Sequence, residues 1–180
     1  MKYIGILFAL VVLCTACGEK KNPHGEIPVK PTAAELSDEI TRIETLLKDS
    51  ANNKTIASEL MRKYQDFYNF YPDDQHSANY LFRAADVARG MKKPKVCIDL
   101  LTTLHDAFPS NPRRDQVAFL VAFEYEQGLR DTVTAKAHYQ KVIELYPESP
   151  WAREAETNLT LLEMTEAEML EFLETGKRPA

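Results

Sequence analysis

Cysteine and glycine are scarce in this chain, and no stretch gathers Lys or Arg into a cluster. There are three cysteines, Cys14, Cys17 and Cys97, and only the last lies in the body of the sequence. A lone cysteine of this kind is read as a small buried apolar residue, since a reactive thiol needs a base beside it and the sequence supplies none. Of the six glycines only Gly90, Gly128 and Gly176 fall in the body, so no glycine-rich loop can cradle a phosphate. Without clustered positive charge there is no surface for nucleic acid. His24, His76, His105 and His138 are scattered without metal-ligand spacing. Neither G-x-S-x-G nor H-E-x-x-H occurs. The chain therefore reads as a non-enzyme with no cofactor and no metal site.

A long apolar run is missing as well. The longest, Ile4–Leu13 in "MKYIGILFALVVLCTACGEKKNP", falls short of the roughly 20 residues a membrane-spanning helix needs and matches the core of a signal peptide. Lys2 precedes it, and Thr15-Ala16-Cys17 follow. The segment "LCTAC" resembles the lipobox of bacterial lipoproteins. That resemblance implies cleavage before Cys17, lipid on Cys17, and anchoring to a bacterial membrane with the domain facing the periplasm. Three acyl chains would hold the protein firmly, where one would be marginal. Residues 1–16 are then the signal peptide and residues 17–31 a tether. Loss of Lys2 leaves 21 basic against 27 acidic residues, 21 − 27 = −6.

What the body does contain is a recurrence. "YQDFYNFYPDD" (64–74), "LTTLHDAFPSN" (101–111) and "YQKVIELYPES" (139–149) each end in an aromatic followed by Pro. Pro72, Pro109 and Pro147 are 37 and 38 residues apart, and Gly90 and Gly128 are 38 apart. Pro cannot continue a helix and drives the preceding residue out of the α region. Before each Pro the apolar spacing is helical: Ile56, Leu60, Tyr64, Phe67, Tyr71; then Cys97, Leu101, Leu104, Phe108; then Ala135, Tyr139, Val142, Tyr146. No stretch shows the alternation of a strand. Gly90 and Gly128 are expected to be left-handed helix C-caps.

These features, with small residues at Ala84, Ala122, Cys97 and Ala135, large ones at Leu101 and Tyr139, and closing prolines at Pro109 and Pro147, resemble the tetratricopeptide repeat. The unit exceeds that family's 34 residues, and the excess is expected in the Gly turns. At the ends, Thr32-x-x-Glu35 and Thr165-x-x-Glu168 read as capping boxes. Four antiparallel helix pairs follow: 33–49 with 55–71, 76–90 with 95–108, 114–128 with 132–146, and 150–163 with 166–175. The expected architecture is an all-α helical-repeat solenoid over residues 32–176, with 177–180 as a tail. The stripe Ala33, Leu36, Ile40, Ile43, Leu47 reads as docking onto the first repeat rather than as a coiled coil, since it lasts only about two heptads.

"VAFLVAF" (117–123) leaves its helix no polar face, so the helix is buried all round or offers one side to a partner. The partner-binding reading points Phe119 and Phe123 at a groove, with Leu81 and Ala85 as their counterparts one repeat earlier and Arg89 at the edge. Asp49-Ser50-Ala51 and Asp131-Thr132-Val133 look like acceptor triplets for O-linked sugar in Bacteroides-type envelope proteins, both in expected inter-helix turns. The repeat resemblance implies a scaffold or adaptor that binds proteins of the bacterial cell envelope, similar to outer-membrane barrel-assembly lipoproteins. The second candidate is a Tol-Pal-type factor for envelope constriction or peptidoglycan coordination.

Overall fold

The computed structural model describes residues 30–50 and 52–176. Cys17, the signal peptide, most of the tether, Ala51 of the first sugar triplet and the 177–180 tail lie outside them. The described body, from Pro31 onward, is all-α. Its helices are α1 (Ala33–Asp49), α2 (Lys54–Phe70), α3 (Ser77–Gly90), α4 (Pro94–Ala107), α5 (Arg114–Phe123), α6 (Thr132–Leu145), α7 (Pro150–Glu163) and α8 (Glu166–Thr175). A π-helical turn, Glu124–Gly128, continues α5. From α1 to α7 each helix packs on the next in sequence, and α5 also reaches α7.

Local chemistry sets the boundaries. Thr32 and Thr165 open α1 and α8 with complete capping boxes. Asn53 caps α2, Asp131 caps α6 and Ser149 caps α7 through their side-chain oxygens. Pro94 and Pro150 occupy first-turn positions, where a missing N–H costs nothing. Tyr71, Phe108 and Tyr146 each close a helix immediately before Pro, in extended-side backbone that the proline imposes.

The helix ends correct one expectation. Gly90 and Gly128 are not left-handed; the left-handed residues are Lys92 (φ 57°) and Arg130 (φ 56°), two positions later. There Lys93 N–H reaches Ala88 C=O at 2.9 Å, the long bond of a Schellman cap, and Asp131 N–H reaches Tyr125 C=O at 2.9 Å, a similar bond lengthened by one residue after the π turn. Gly128 is needed for room instead, because a β-carbon on it would lie 2.5 Å from Pro94 Cβ. Nothing near Gly90 requires glycine. Gly176 does end α8 in the left-handed region, at φ 69°.

Two apolar cores result. The larger joins Leu36, Ile40 and Ile43 of α1 to Leu60, Tyr64 and Phe67 of α2, and continues through α3 and α4 to Val117 and Val121. The smaller gathers Phe119, Ala122, Ala135, Tyr139, Val142 and Ala155. Leu120 and Tyr125 pack against both. The α1 stripe is thus spent on packing. α8 buries no residue and contributes to neither core, so the fourth expected pair lacks the packing of the others.

Candidate protein-binding face

α3 is linked to the α5 segment by side chains at both ends, Arg113 with Phe82 and Asn79 at one and Arg89 with Glu124 at the other. On α3, Arg83 and Asp86 are exposed, Asn79 is half-buried, and Phe82 is half-buried against the edge of the larger core. On α5, Gln116, Leu120 and Phe123 are half-buried, with Arg113 at the N-cap. The Arg113 guanidinium sits 4.2 Å above the Phe82 ring and donates to Asn79 Oδ1 at 3.4 Å. A cation over an aromatic face is attracted by the ring quadrupole, more so where water is excluded. Asp86 lies near both Arg113 and Arg89. Burial holds its carboxyl above the usual range, and the two arginines pull it back.

Beneath this face runs a charged pair. Arg89 Nε donates to Glu124 Oε1 at 2.7 Å, and Arg89 Nη1 reaches Asp86 Oδ1 at 3.3 Å. The Glu124 side chain is only 6% exposed, and Arg89 Nη2 is buried without a hydrogen-bond partner. Glu124 opens the π turn, whose Leu129 N–H reaches back to Glu124 C=O at 3.0 Å. Such turns insert one residue into a helix and are frequent at functional sites. Cys97 is fully buried beside this pair; burial first, and the Glu124 charge second, push its thiol up to about 12. A thiol held there stays protonated at neutral pH and is a poor nucleophile.

The five residues assigned from sequence to the partner face divide as follows. Leu81 (1% exposed) and Ala85 are buried in the larger core, and Phe119 (7%) in the smaller. Phe119 packs its ring on Phe123, Tyr139 and Trp151, with centroids 6.2, 5.6 and 5.1 Å apart. These three face helices rather than solvent, because neighbouring helices cover both flanks of α3 and α5. Phe123 is half-buried, packed against the smaller core. Arg89 is engaged with Glu124 and Asp86. Phe82, Asp86 and Leu120, which follow Leu81, Ala85 and Phe119, are less buried than those three, whereas Glu124, which follows Phe123, is buried. The Phe82–Arg113 contact joins residues 31 positions apart, so no local pattern announced it.

Two buried tyrosines anchor the flanks alike. Tyr64 Oη donates to Glu44 at 2.6 Å, and Tyr139 Oη donates to Glu126 at 2.7 Å while accepting from Asn158 at 3.0 Å. Burial raises both phenols. Of the second sugar triplet, Asp131 is committed to Thr134 as the α6 cap, while Thr132 and Val133 are exposed. Among the described residues no three His, Cys, Asp or Glu converge as metal ligands, and no helix is long and apolar enough to cross a membrane. In comparison with known proteins, no family model and no curated protein matches the chain.

Proposed function

We propose that this protein is a membrane-anchored adaptor that faces the periplasm and binds other envelope proteins through a tetratricopeptide-like repeat surface, in the service of outer-membrane protein assembly. The observation that carries the binding role is the α3/α5 face. There Arg113 covers the half-buried Phe82, and Leu120 and Phe123 of α5 are half-buried as well. Aromatic and arginine side chains at the centre of a surface are the usual anchors of a protein interface. The repeat reading is supported by neighbour-on-neighbour packing and by the left-handed caps at Lys92 and Arg130, 38 residues apart as the glycines are. The membrane anchor rests on the lipobox resemblance at Cys17. The α1 stripe is buried against α2, so the coiled coil that would favour the Tol-Pal-type reading has no free apolar face to use.

A photo-crosslinking residue placed at Phe82 or Phe123 tests this in cells, with exposed Gln140 on α6 as the control position. Adducts with barrel-assembly components at 82 and 123 but not at 140 are expected. Adducts with Tol-Pal components would transfer the reading to envelope constriction, and equal labelling at all three positions would remove the face. In parallel, Cys17→Ser is expected to release the protein from the membrane fraction and abolish fatty-acid labelling.

A further inference from the structure

Charge is segregated along this chain. Between Glu148 and Gly176 there are eight glutamates and one arginine, a net of −7, against −5 for the whole sequence. Residues 1–147 sum to zero, and Lys177 and Arg178, after α8, carry the remaining +2. The acidic end terminates in α8, which buries nothing and leaves Leu170 56% and Leu173 71% exposed. Glu166, Leu170, Leu173 and Glu174 are spaced four, three and one, which places them on one face of the helix. The result is a leucine pair bracketed by carboxylates.

A surface of the opposite character lies at the far end of the described body. Where α1 ends, α2 begins and α3 turns into α4, a cavity of about 370 Å³ is floored by Leu47, Ala57, Val87 and Met91 and rimmed by Lys54 and Lys92. Lys92 is one of the two left-handed residues, and its side chain is exposed. Neither lysine has a carboxylate within ion-pair distance among the described residues. Asp49 and Glu59, each five residues from Lys54, are the nearest acids to it in sequence, and both are exposed.

We propose that α8 of one molecule docks in this pocket of a second copy, with Leu170 and Leu173 on its apolar floor and Glu166 and Glu174 against Lys54 and Lys92. An amphipathic helix laid in an apolar groove is a recurrent mode of recognition, here with charges that fix its direction. The two surfaces differ, so the contact is head-to-tail and leaves a free helix at one end and a free pocket at the other. Association of this kind grows with concentration, as an open chain or, where the rotation closes, as a ring. One short helix covers little area, so the contact is weak and salt-sensitive.

The test is sedimentation velocity of the full chain over a concentration series at low and high salt. The wild type is expected to show species that grow with concentration and shrink with salt. Leu170→Ser/Leu173→Ser removes the helix face, and Lys54→Glu/Lys92→Glu removes the pocket; each alone is expected to stay monomeric. Their equimolar mixture is expected to reach twice the monomer mass and stop, because one variant keeps its pocket and the other its helix. Glu166→Lys/Glu174→Lys leaves the leucines in place, is expected to be monomeric, and regains association when combined with Lys54→Glu/Lys92→Glu. A wild type that is monomeric throughout overturns the proposal. So does association that the α8 variants leave unchanged, or a dimer that the mixture fails to restore, which would be a two-fold contact.

Discussion

α1 and α8 begin with the same capping box, Thr32 with Glu35 and Thr165 with Glu168, whose matching hydrogen bonds differ by 0.1 Å (for example 2.7 and 2.8 Å from the Thr N–H). Yet α1 buries Leu36, Ile40 and Ile43, and α8 buries nothing. A cap fixes where a helix starts, because it satisfies donors that have no partner inside the helix. It does not decide whether the helix belongs to the core. That depends on a second stripe across the gap: α1 meets Leu60, Tyr64 and Phe67 of α2, whereas neither core takes in a residue of α8.

The largest expected contrast lies in the apolar stripes. Ile40→Ala should cost about 2–5 kcal/mol, the lost transfer energy plus the cavity left behind. Leu173→Ala, on an exposed position, should stay within about 0.5 kcal/mol. Urea unfolding of both variants measures this, and equal losses would break the comparison.

Next come the two glycines. Gly128→Ala forces a β-carbon into Pro94 and Glu124 and should destabilise by about 1–3 kcal/mol. Gly90→Ala enters open space at the end of α3 and should stabilise by about 0.5–1 kcal/mol through lower backbone entropy in the unfolded chain. Opposite signs in thermal melts are the expected outcome.

The smallest effects concern the caps. Thr32→Ala should cost about 1 kcal/mol of global stability. Thr165→Ala should leave the melting transition unmoved while the Cα chemical shifts of α8 lose helical character. pH sharpens the point. Glu35 and Glu168 are both held below the ordinary carboxyl value of 4.5, chiefly by the Thr backbone N–H and then by its hydroxyl. A carboxyl depressed in the folded state contributes stability above its unfolded value and loses it as pH falls through its folded value. Both caps should therefore fade below pH 4.5, and helical shifts in α8 should disappear before those in α1. Simultaneous loss would mean that α8 is coupled to the core.

Helix existence and limits were legible from sequence to within a residue or two, since prolines, capping boxes and apolar stripes act locally. The expected 76–90 and 95–108 stand beside Ser77–Gly90 and Pro94–Ala107. Which residues of α3 and α5 are buried was not legible: of the five expected on the face, Leu81, Ala85 and Phe119 lie in the cores, while Phe123 and Arg89 are half-buried. A run as uniformly apolar as 117–123 carries no phase, and its neighbours in space are set by contacts such as Arg113 with Phe82 that sequence distance conceals. The left-handed caps were misplaced for a similar reason: Gly128 answers to Pro94 across the turn, not to its own φ.

The π turn gives the unequal spacing of the prolines a physical address. From Pro72 to Pro109 is 37 residues and from Pro109 to Pro147 is 38. The connections on either side match in length, as do α4 and α6 at 14 residues, while α3 has 14 and α5 with its π turn has 15. The extra residue is therefore at 124–128, held inside a helix as a local bulge rather than released into a loop. A single inserted codon there would change the chain's length without moving the left-handed caps or the aromatic-Pro stops. In the spacing that sets Leu81 against Phe119, Glu124 matches Asp86, so α3 carries an exposed carboxylate where the bulge holds a buried one. The helix that is one residue longer is thus the one that takes its carboxylate inside.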